Sequence, residues 1–146
     1  MVRVLKAFFP AVLLAYVLAS ILFTQFNLAT LQTMGSEVTM GVRLDTTFED
    51  LIGMASSYLL LILVAFILGL PVAAGLNRLV PGHRALLFTL AGFAAIVALH
   101  LIMKSVLGVS AIAVTRTLPG LVGQGLAGAV GGYCYHRLTR PAPLQR

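Results

Sequence analysis

The placement of charge constrains this chain more than any other feature. Lys, Arg, Asp and Glu divide its 146 residues into four long uncharged stretches, 7–36, 51–77, 85–103 and 117–135, of 30, 27, 19 and 19 residues. An α-helix rises about 1.5 Å per residue and a bilayer's hydrocarbon core is about 30 Å thick, so about 20 apolar residues are enough to cross. Each stretch is therefore expected to form one membrane helix, over about 7–29, 51–76, 85–104 and 118–136. Composition points the same way. The chain is 60% hydrophobic and 10% charged, against about 45–50% and about 25% in soluble domains. It lacks the polar surface to cover a water-soluble globule, which excludes a soluble enzyme, a disordered chain and a disulfide-built secreted domain. The expected fold class is an all-α integral membrane protein, a four-transmembrane-helix bundle forming one membrane domain over 1–146.

The first stretch has a second reading. Arg3, Lys6 and the apolar run to a small-residue site at Val17-Leu18-Ala19 have the form of a secretory signal. The run continues through Ile21-Leu22-Phe23, which favours a retained helix.

Orientation follows from bases in short loops, because Lys and Arg are held on the cytoplasmic side. With the N-terminus inside, the cytoplasmic set is Arg3, Lys6, Arg78, Arg84, Arg137, Arg140 and Arg146, and the outer set is Arg43, Lys104 and Arg116. All four acids, Glu37, Asp45, Glu49 and Asp50, fall in the segment assigned outside. Seven bases against three predict both termini in the cytosol, a 137–146 tail there, and outer loops at 30–50 and 105–117. The net charge of +6 thus reads as topology and not as a nucleic-acid surface. The expected location is a bacterial cytoplasmic membrane.

Pro81-Gly82 predicts a tight turn between helices two and three, and Pro119 suits the first turn of helix four. Thr46 with Glu49 three residues later forms a capping box for helix two. The apolar alternation at Val38, Met40, Val42 and Leu44 has the period of a strand, and residues 109–115 are rich in β-branched side chains. These two segments are expected either to pair as a small sheet, whose edge could take a strand from another chain, or to lie as irregular loops on the headgroups. Glu37, Arg43, Asp45, Glu49, Asp50 and Arg116 are the outer-loop contact candidates.

The strongest local pattern is in helix four, which holds six of the fourteen glycines. Gly120, Gln124, Gly128 and Gly132 form one four-residue stripe, and Gly123, Ala127 and Gly131 the next. Small residues let helix backbones approach closely in lipid, so helix four should be the most enclosed. The GxxxG match at Gly128 and Gly132 favours packing inside the bundle over self-dimerisation. Ala65, Gly69 and Ala73 of helix two form a complementary ridge, and helix three has Ala91 with Ala95 and Ala94 with Ala98.

Only His100 and Gln124 are strongly polar deep inside the predicted spans, and polar groups in hydrocarbon need partners. Their depths agree within one or two turns. A hydrogen bond between them is the plain expectation, and a proton or solute site the sharper one. A bis-histidine haem is allowed by depth only for His83 and His136, which adjoin arginines and are expected to face lipid phosphates instead. The single Cys134 and three scattered histidines lack zinc spacing, so neither cofactor nor metal is expected. Cys134 is expected to be a small buried side chain, and Tyr133 and Tyr135 interfacial anchors.

No P-loop, HExxH, GxSxG, CxxC or strand-linked GxGxxG is present, and the two helix pairs differ too much for an inverted repeat. The expected function is that of a small non-enzymatic membrane protein acting through contacts, as an accessory or assembly subunit or a homo-oligomer. Its expected partners are the bilayer and either further copies or a larger membrane complex. An oligomeric solute or proton channel is the alternative, and an enzyme using Asp45, Glu49 or Asp50 comes third.

Overall fold

A computed structural model describes residues 2–108 and 113–140, and over them the chain is helical with no strand. Helix α1 is Val2–Thr33, α2 Met40–Gly53, α3 Leu60–Leu79, α4 Arg84–Leu107 and α5 Leu118–Thr139. A π-helical turn, Ala55–Leu59, carries α2 into α3, and a 3-10 turn, Ala113–Arg116, leads to α5. Three helical segments are long and apolar enough to cross a membrane: Val2–Thr33, Ala55–Leu79 and Arg84–Leu107. At 22 residues α5 has similar length, but six glycines and Gln124 dilute its apolar character. Leu13, Leu68, Leu86 and Ile102 are exposed, while Ser20, Thr24, His100 and Gln124 are buried. That inversion suits an apolar solvent, which penalises an outward-facing polar group and tolerates an outward-facing leucine.

Local chemistry explains the helix ends. α1 stops in a Schellman motif: Gly35 takes φ +88°, its N–H donates to Gln32 O at 3.0 Å, and Ser36 N–H donates to Leu31 O at 3.1 Å. Gly82 (φ +97°) turns the chain between α3 and α4, and Gly108 (φ +68°) ends α4. Thr117 caps α5, accepting from Gly120 N–H at 3.2 Å, with Pro119 in the first turn.

The segment 38–44 is not a strand. Thr39 accepts from Val42 N–H at 3.3 Å and starts α2. Two residues of the period-two run, Met40 and Leu44, begin a period-four stripe that continues through Phe48 and Ile52, all exposed on one face of the helix. Most of the expected 30–50 loop is consequently helix. Thr46 and Glu49 lie inside α2 and form no capping box, because the π-turn joins α2 to α3 with no fresh N-terminus to cap. Of the other expected strand, 113–115 belongs to the 3-10 turn, and 109–112 lies outside the described residues.

α5 packs between α1 and α4, and α3 packs against α4. Glycine makes the approach possible. An added methyl at Gly128 would meet the Gly92 carbonyl and sit 2.5 Å from Ile96 Cγ1, and one at Gly132 would be 3.3 Å from Gly92 Cα. At Gly131 a methyl would come 2.7 Å from Ala15 Cβ. Gly120 packs against Val114, Gly123 against Phe26, and Ala127 is buried with them. The expected ridge of Ala65, Gly69 and Ala73 does not serve α5: Gly69 closes on Ala95 and Ala91 of α4, and it is Phe66 that reaches Gly131. The Arg3 guanidinium donates to Arg140 O, so the start of α1 and the end of α5 share one end of the bundle. The opposite end carries α2.

Candidate functional site: a buried polar cluster

The π-turn holds Tyr58 in the interior, where its hydroxyl joins three helices. π-Turns recur where a helix must re-aim a functional side chain, and here neighbouring Ser56 and Ser57 stay exposed. The Tyr58 hydroxyl donates to Gln124 Oε1 at 2.7 Å and lies 3.3 Å from His100 Nε2. Gln124, 0% exposed, donates from Nε2 to Ala19 O of α1 at 3.1 Å, which fixes its amide orientation. His100 Nδ1 lies 2.8 Å from Ile96 O. A carbonyl only accepts, so Nδ1 carries a proton, and in the neutral ring Nε2 is an acceptor. Two acceptors, Gln124 Oε1 and His100 Nε2, therefore face one hydroxyl proton. The shorter bond, to Gln124, is the one the hydroxyl donates.

A second layer ties this cluster to α2. Tyr16 donates to Leu51 O at 2.5 Å, and its ring meets Tyr58 edge-on at 6.3 Å. Thr24 Oγ1 lies 2.7 Å from Asp50 Oδ2 and 3.1 Å from Ser20 O. Arg43 donates to Gln25 Oε1 and Gln32 Oε1, each at 2.8 Å. Arg43, Thr47 and Asp50 of α2 are thus bonded to α1, and its apolar stripe faces outward. Beside the start of α5 a crevice of about 190 Å³ is lined by His100, Lys104, Arg116 and Thr117, so His100 stands between this opening and the cluster. Toward the termini, Ala15, Ile62, Phe66 and Gly131 pack closely in the next layer.

His100 and Gln124 are brought together, but through Tyr58 and not by the direct bond expected from sequence. Tyr58, Tyr16, Ser20 and Thr24 were not legible as partners. A tyrosine inside an apolar run beside two serines was the available signal, and small residues at 7, 11, 15 and 19 marked the α1 face. Glu37, Asp45 and Glu49 are exposed, Asp50 is held by Thr24, and Arg116 lines the crevice. At the other end His83 is exposed, whereas His136 is buried. Tyr133 is exposed, but Tyr135 turns inward onto Phe88 at 5.3 Å instead of anchoring at an interface. Cys134 is half-buried. Among the described residues no group of three His, Cys, Asp or Glu is placed to hold a metal. Comparison with protein-family models, with curated proteins and with solved structures finds no match to the chain.

Proposed function

We propose that this chain is an accessory or assembly subunit of a membrane complex, crossing the bilayer four times with both termini cytoplasmic and engaging its neighbour through the outer face of α2. Close packing of α5 between α1 and α4, the meeting of Arg3 with Arg140, and the gathering of acids at the α2 end support that topology. One observation carries the contact reading. α2 turns Arg43, Thr47 and Asp50 toward α1 and presents Met40, Leu44, Phe48 and Ile52, the last 77% exposed, beside the exposed carboxylates Asp45 and Glu49. Helices that merely rest on lipid border the apolar stripe with Lys and Arg, which anionic head groups attract. An acidic border fits a protein surface with basic groups. No ion pair engages either carboxylate among the described residues.

A photo-crosslinker at Phe48 or Ile52, in native membranes, should give one defined protein adduct, and Asp45→Lys with Glu49→Lys should abolish it. A crosslinker at Leu13, exposed on α1, should give lipid adducts. Lipid adducts alone at all three positions, with a monomer by native mass, would end the contact reading. A second reading, a proton or solute pathway shared among several copies, draws on the position of His100 between the crevice and the Tyr58–Gln124 pair. It requires an oligomer in the same mass measurement, because the Phe66 layer fills the interior of a single bundle.

A further inference from the structure

We infer that the termini end of the bundle holds the phosphate of an anionic phospholipid, with an acyl chain lying in the groove between α3 and α4. The head-group site is a cavity of about 520 Å³ lined by Asn77, Arg84, His136, Arg137 and Arg140. Three of its buried polar atoms lack partners among the described residues. His136 is 7% exposed and its Nδ1 has no hydrogen bond among the described residues; the same is true of buried Arg84 Nε and Asn77 Oδ1. Buried polar atoms left open in this way call for a water, an ion or a ligand, and here three of them line one cavity.

The chemistry of those atoms specifies the ligand. Arg84 is held in place, its Nη2 donating to Thr139 Oγ1 at 2.6 Å and its guanidinium lying 5.2 Å from the Phe88 ring centre. Its Nε–H, the His136 ring and the guanidiniums of Arg137 and Arg140 are donors around one space. All four Asp and Glu side chains of the chain lie at residues 37–50, on α2 or just before it, so no acidic side chain neutralises the three arginines of this cavity. A phosphodiester supplies two charged acceptor oxygens, the geometry that guanidinium groups match best. Asn77 Oδ1 needs a donor, which a head-group hydroxyl provides.

The neighbouring groove makes the ligand amphiphilic. A cleft of about 560 Å³ with almost wholly apolar walls is lined by Ala73 and Leu76 on α3 and by Leu87, Ala91 and Ala94 on α4. It begins one residue from Asn77 on α3 and two from Ala85 on α4, both of which line the head-group cavity. One lipid therefore fills both spaces. Basic pockets between membrane helices on the cytoplasmic side are where anionic lipids bind, consistent with the orientation above but independent of any partner at α2.

The test uses the full chain purified in a neutral detergent, with native mass spectrometry and thermal unfolding read against added phosphatidylglycerol, phosphatidylcholine or inorganic phosphate. One phosphatidylglycerol should stay bound and raise the unfolding temperature, with about tenfold weaker effect from phosphatidylcholine. Arg137→Gln with Arg140→Gln should weaken phosphatidylglycerol at least about tenfold at unchanged helicity. Arg78→Gln removes a charge outside the cavity and should leave binding intact. Ala94→Phe fills the groove and should weaken the lipid while sparing any effect of phosphate. Equal retention of both lipids, or an undiminished phosphatidylglycerol effect in the double variant, overturns the site. Stabilisation by phosphate equal to that by lipid, unaffected by Ala94→Phe, overturns the lipid assignment and leaves a free anion.

Discussion

Tyr58→Phe removes one oxygen atom and leaves the ring packing between Tyr16 and His100 in place. Its effect can be worked from the bonds at that atom. The hydroxyl serves Gln124 Oε1 at 2.7 Å and faces His100 Nε2 at 3.3 Å. Hydrogen bonds between membrane helices measure about 0.6 kcal/mol on average and about 1.7 at most. The short bond to fully buried Gln124 belongs near the upper figure and the long one near the lower, so the variant should lose about 1–2.5 kcal/mol. Gln124→Met keeps side-chain volume and removes the acceptor together with the bond to Ala19 O. The Ala19 bond is absent from both Gln124→Met and the double variant, so it cancels in a double-mutant cycle. The remaining coupling, about 1.5 kcal/mol, isolates the Tyr58–Gln124 pair. Reversible unfolding in mixed micelles, followed by circular dichroism, measures all four proteins. If the double variant loses the sum of the two single losses to within about 0.3 kcal/mol, the two side chains are not bonded and the cluster as described is wrong.

Two further predictions concern packing and topology. Gly128→Ala should destabilise by about 1–3 kcal/mol, because the new methyl meets the Gly92 backbone, which cannot yield as a side chain can. Gly75→Ala, where nothing lies within 4 Å, should be neutral or gain up to about 1 kcal/mol from helix propensity; equal melting temperatures for the two would refute the close α4–α5 crossing. With Cys134 replaced by Ala, Ser36→Cys should react with an impermeant maleimide on intact cells, and Leu138→Cys only after permeabilisation. Labelling of both from the same side would overturn the four-crossing topology.

Charge placement and glycine spacing determined a good deal without coordinates: an all-α fold class, four expected membrane helices of which three are long and apolar enough to cross, and a glycine-rich last helix. These are local properties, since crossing length and small-residue periodicity depend only on neighbours along the chain. The partner of each surface needed the tertiary structure. Gly92, which receives Gly128 and Gly132, is a single glycine with no periodicity of its own, and the ridge at Gly69 fits several small-residue faces equally well in sequence. Residues 38–44 could not be resolved alone, because apolar residues two apart satisfy a strand and, taken alternately, a helix face that continues through Phe48 and Ile52. Tyr58 is apolar in its sequence setting and becomes polar chemistry only where the π-turn aims it between His100 and Gln124. His136 shows the same limit. Beside arginines it reads as an interfacial side chain, and only the packing of α5 against α4 buries it at the wall of a cavity, where its Nδ1 has no partner among the described residues. Where a side chain falls along its own helix is fixed by counting residues, whereas what it meets there is fixed by helices distant in sequence.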